Sequence, residues 1–127
     1  MGPELGSLVV QIVRFVDDHF PGFVACEFVD AENRVHTLID KVPMVTPDDL
    51  DPTSVYPQTG GIRCTVLQRW QGPSGGELVK VSIDYPDAME TTEGLKEFVV
   101  QSAQVTWIPR GHREENPPRV WRWVDDE

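Results

Sequence analysis

Alternation with a period of two is the feature that most limits what this chain can fold into. Residues 62–70, IRCTVLQRW, set Ile62, Cys64, Val66 and Trp70 on one side, with Arg63, Thr65, Leu67 and Arg69 on the other. Residues 77–85, ELVKVSIDY, answer with Val79, Val81, Ile83 and Tyr85 against Lys80, Ser82 and Asp84. Successive side chains of a strand point to opposite faces, so each run places one face on a core and the other in water. Gln71-Gly72-Pro73-Ser74-Gly75-Gly76 has the chemistry of a turn, and the two runs are predicted to form a hairpin. A second hairpin is predicted from residues 23–29, FVACEFV, and 34–41, RVHTLIDK, joined by Asp30-Ala31-Glu32-Asn33. In it Val24, Cys26 and Phe28 share one face. Val35, Thr37 and Ile39 lie opposite Arg34, His36, Leu38 and Asp40.

Further strands are expected at 8–16, 95–101 and 104–108, with a bulge at Ser102-Ala103. Between the hairpins, Pro43, Pro47, Pro52 and Pro57 keep the chain out of any central strand. Thr46-Pro47-Asp48-Asp49 reads as the start of one short helical turn, with a Thr cap, Pro at the first position and acids over the positive end of the dipole. Six or seven short strands with almost no helical pattern predict an all-β domain. The preferred form is a small antiparallel barrel, because closure removes exposed edges, and the alternative is a β-sandwich. The domain is expected to span 1–108, with 1–7 disordered. The tail 109–127 is expected to be extended or disordered, with room for a short edge strand at 119–124.

The sequence has 127 residues, enough for one domain with its own core. Its 21 Asp and Glu outnumber 11 Lys and Arg, giving a net charge of −10. Such a field repels phosphate backbones and anionic lipid, so neither nucleic acid nor a membrane surface is an expected partner. The charge is uneven. Residues 1–60 carry a net −7 and residues 61–127 a net −3, while 110–122 hold four Arg against two Glu. Cys26 and Cys64 form no CxxC pair and fall on predicted core faces. Two buried thiols and no secretory pattern at the start point to the cytoplasm.

No catalytic motif of the GxSxG, HExxH, P-loop or GxGxxG type occurs. Asp17-Asp18-His19 could supply metal ligands only if a tight turn gathered them, and a solvated acidic turn is the commoner outcome. The chain is therefore read as a non-enzyme without metal or cofactor. The loop 46–58 is long for a compact domain, and loops of that length often bind. It carries Asp48, Asp49, Asp51 and Tyr56. The tail carries Trp121, Arg122 and Trp123 in the run VWRWV, and Trp and Arg concentrate at interface hot spots. These seven residues are the candidate partner-binding set.

The stretches GFVACEFVDAENRVHTLIDKVP at 22–43 and SVYPQTGGIRCTVLQRW at 54–70 resemble small β-rich bacterial proteins with no assigned activity. In size and charge the chain is also similar to immunity proteins, which neutralise basic toxins. That likeness implies a non-catalytic module, of immunity or inhibitor type, that binds a basic protein. Two alternatives stand beside it. One is a barrel holding a small ligand among Phe28, Val66 and Ile83. The other is a hydrolase built on carboxylates or on a metal at Asp17, Asp18 and His19.

Overall fold

A computed structural model describes residues 4–107. All seven strands belong to one antiparallel sheet, curled into a half-barrel, so the sandwich alternative is not the fold. They are β1 (Glu4–Asp17), β2 (Phe23–Val29), β3 (Val35–Lys41), β4 (Gln58–Gln71), β5 (Glu77–Ser82), β6 (Glu97–Gln101) and β7 (Val105–Trp107). The strand order is β3-β2-β1-β4-β5-β6, and β7 pairs with β1. Both predicted hairpins form, β2 with β3 and β4 with β5.

Strand β1 organises the sheet. Along Glu4–Ile12 it pairs with β4. On its other side, Gly6–Leu8 pair with β7 and Gln11–Asp17 with β2. Residues 4–7 are thus ordered in a strand, not disordered as expected. Their short polar run is held by partners that come from far along the sequence. The tail beyond residue 107 lies outside the described residues.

The concave side holds the core. Leu8, Val10, Ile12, Leu38, Ile62, Cys64, Val79, Val81, Ile83 and Val100 have no exposed surface. Burying one such side chain contributes about 1.5–3 kcal/mol, so this face fixes the register of every strand.

The single α-helical turn among the described residues, α1 (Val42–Val45), precedes the predicted one. Thr46 ends it, its amide donating to the Val42 carbonyl at 3.1 Å. Burial of Val42 and Val45 decides the position, outweighing the capping chemistry of Thr46. At Ser102-Ala103 the chain makes a 3-10 turn (Ser102–Gln104) instead of a bulge.

Two side chains expected on the core side, Trp70 and Tyr85, face outward, and the structure decides which side of β3 is buried. Leu67 is a bulge between the pairs Val66–Val81 and Gln68–Lys80, and the extra residue turns Trp70 outward, opposite Leu78. In β3 the register pairs Cys26 with Leu38 and Phe28 with His36. The inward side of β3 is therefore that of His36 and Leu38, while Val35 and Ile39 face out. Tyr85 lies beyond the end of β5 and is 55% exposed, not inward.

Candidate functional site

The convex side of β5 and β6 forms the floor of a groove of about 1000 Å³. Val79, Val81, Phe98 and Val100 point into the core, which leaves Leu78, Lys80, Val99 and Gln101 outward. Leu78 pairs with Gln101, and Lys80 with Val99. Trp70, turned out by the bulge, stands beside Leu78, and the Gly72–Gly76 turn continues that wall. The opposite wall is the β2–β3 turn, where the Ala31 amide donates to the Val99 carbonyl at 2.8 Å. Glu93 and Leu95 also line the groove. Its ionisable groups are Asp30, Glu32, Glu93 and Glu97 against Arg34, Lys80 and His36, an excess of acid. Lys80 Nζ lies 3.4 Å from Glu97, whereas the Glu93 carboxylate has no ion-pair partner among the described residues.

Asp30 anchors the wall. Its Oδ1 accepts the amides of Glu32 at 2.8 Å and Arg34 at 3.0 Å, the turn chemistry that Asp supplies best. Asn33 takes the left-handed conformation this turn requires, at φ 66°. The Asp30 Oδ2 lies 2.8 Å from His36 Nε2 and 3.3 Å from Arg34 Nε. Arg34 also reaches Glu32 at 2.8 Å. The His36 ring sits 5.2 Å from Phe28 and 4.8 Å from Phe98, whose rings meet edge to face at 5.0 Å. These contacts draw β2, β3 and β6 together across the open side of the curl. Burial works to raise the Asp30 pKa. The His36 contact, the two amides and the Arg34 charge outweigh it and hold the carboxyl down at about 2.

A His–Asp pair can orient a general base, and in nucleophilic catalysis such a base activates a hydroxyl or thiol in reach. Among the described residues no hydroxyl or thiol hydrogen-bonds to the His36 ring. Both cysteines are free and buried. Burial pushes Cys26 up to about 12, aided by the charge of Asp40. It pushes Cys64 up to about 12 as well, against a hydrogen bond from the Gly6 backbone. Thiols in that state are poor nucleophiles.

The acidic loop lies elsewhere. Asp48, Asp49 and Asp51 are exposed, and none of them lines the groove. Asp51 Oδ1 accepts the Thr53 amide at 2.8 Å and its hydroxyl at 2.7 Å. The Thr53 hydroxyl, then its amide, lower the Asp51 pKa. Leu50 and Tyr56 pack against the core, and the Tyr56 hydroxyl donates to the Asp51 carbonyl at 2.8 Å. The loop is a fastened cover that presents carboxylates outward. Trp121, Arg122 and Trp123 fall outside the described residues.

Asp17, Asp18 and His19 do gather on a turn, with ligand atoms within 4.8 Å of one another. All three are exposed, and His19 Nδ1 already rests 3.1 Å from Asp17. No buried ligand joins them among the described residues, and a structural zinc site wants four. No helix is long and apolar enough to cross a membrane among the described residues.

The groove was not foreseen in sequence. Its parts come from three separate stretches, 30–36, 70–80 and 93–101. The one local signal is the change of apolar spacing from even at Ile62, Cys64 and Val66 to odd at Leu67. No family model matches the chain, and neither a curated protein nor a solved structure matches it.

Proposed function

We propose that the chain is a non-catalytic interaction module, of immunity or inhibitor type, that takes a basic, aromatic-bearing segment of a protein partner in the groove over β5 and β6. The observation that carries this reading is the outward Trp70 beside Leu78 and Val99, on a floor they share with Lys80 and Gln101, with the acids Glu93 and Glu97 at its edge. Such a surface suits an aromatic anchor flanked by Arg. The exposed acids of the 46–58 loop add a field that speeds the approach of a basic partner. Two buried, unreactive thiols fit a cytoplasmic setting. A small ligand inside the curl has less support, because its inward residues already pack against one another.

The test titrates short peptides, graded from acidic to basic and made with and without Trp, into isotope-labelled protein. Basic aromatic peptides should shift the amides of Leu78, Val99 and Gln101. Glu93→Lys with Glu97→Lys should weaken that binding about tenfold or more while the fold is kept. Reversing Asp48, Asp49 and Asp51 to Lys should slow association and flatten its salt dependence. Shifts confined to the 46–58 loop, with the groove silent, would overturn the assignment.

A further inference from the structure

Twenty residues follow Trp107 in the sequence, and they contain the kind of segment the groove is suited to receive. We propose that the groove is filled by this chain's own residues 119–124, RVWRWV, as a built-in competitor of the partner. The proposal rests on the reading of the groove as a docking surface.

Three observations carry it. The first is chemical fit. In an extended segment Arg119, Trp121 and Trp123 share one side, with about 7 Å between alternate residues. The floor repeats that spacing, Leu78 and Lys80 along β5 and Val99 and Gln101 along β6. Trp121 and Trp123 would cover Leu78 and Val99 beside Trp70, and Arg119 would meet the unpaired carboxylate of Glu93.

The second is charge. Residues 110–122 hold four Arg against two Glu, whereas the groove has more acid than base.

The third is reach. Trp107 pairs with Gly6 and lies under Arg69, 4.5 Å from its guanidinium carbon, one residue along β4 from Trp70. Gln101 on the groove floor is six residues before Trp107, so at most about 20 Å of chain separates them. Eleven residues, 108–118, separate Trp107 from Arg119, and a chain of that length can reach at most about 36 Å. A segment tethered this closely has an effective concentration in the millimolar range, so even modest affinity keeps it in place.

The experiment uses the full chain with Asp126→Cys carrying a nitroxide. Cys26 and Cys64 are buried, with thiols held at about 12, so the label goes to position 126. Paramagnetic broadening should appear at the amides of Leu78, Val99 and Gln101, and Trp121→Ala with Trp123→Ala should abolish it. Broadening absent, or centred on the 46–58 loop, overturns the proposal. So does broadening that survives when spin-labelled and isotope-labelled chains are separate molecules, since the occupant would then be a second copy. A synthetic RVWRWV peptide separates the two readings. It should shift groove amides and bind the double Trp variant about tenfold more tightly than the intact chain. Equal affinity for both, with groove shifts, leaves the docking surface standing and removes the tail from it. No shift in either protein removes both.

Discussion

His36 and Asp30 face each other with Nε2 and Oδ2 2.8 Å apart, one in the second position of β3 and the other just past the end of β2. The contact closes the turn from inside. The same imidazole touches Phe98 of β6, so one residue ties the hairpin both to itself and to the far edge of the sheet.

A pH dependence follows from that pair. The Asp30 carboxyl is held at about 2, below its ordinary value, so the folded state binds its proton less readily than the unfolded chain. The stabilisation is complete above the unfolded pKa of about 3.9 and is lost as pH falls through the folded value. Asp30→Asn should cost about 1–2 kcal/mol near pH 6, discounted because the carboxylate borders an open groove. Denaturant melts of both proteins should converge as pH approaches about 2. A gap that stays constant across this range would show that Asp30 acts through shape alone.

Gly60 lets the loop cross β4 closely. A Cβ there would lie 2.7 Å from the Val45 carbonyl oxygen and 2.8 Å from Ile12 Cδ1. The carbonyl belongs to α1, whose Val42 and Val45 are buried, and has little room to retreat. Gly60→Ala should cost about 1–3 kcal/mol by overpacking. Gly76→Ala is the control, because its new methyl would meet nothing nearer than 3.8 Å. Equal melting temperatures for the two variants would count against the close approach.

The thiols give a third expectation. Cys26 and Cys64 are buried and held at about 12, so iodoacetamide near pH 8 should leave both unmodified in the folded protein and label both in denaturant. Rapid labelling of either in the native state would reveal an opening of the β1–β4 or β2–β3 pairing.

Most strands were legible because alternation survives wherever a strand runs straight. Val79, Val81 and Ile83 read inward from sequence and are fully buried. The reading failed where the decisive partner is distant. Val35, Thr37 and Ile39 look the more apolar set, yet the Cys26–Leu38 and Phe28–His36 pairs put His36 and Leu38 on the core side. Trp70 failed for a related reason, since one bulged residue reverses every side chain beyond it. The groove inherits that difficulty, being made from the flipped end of β4, two outward rows and a turn. The His36 side chain is only 9% exposed, and a partner that helps bury it, Phe98, lies 62 positions further along the chain.

The placement of β1 has a consequence for how the protein is made. The strand leaves the ribosome before the other six, yet its neighbours on either side include residues 58–66 and 105–107. During most of synthesis an apolar strand has only the β2–β3 hairpin beside it, with its other edge open. The native sheet cannot be completed until nearly the whole described length has emerged, which favours slow folding and early exposure to chaperones.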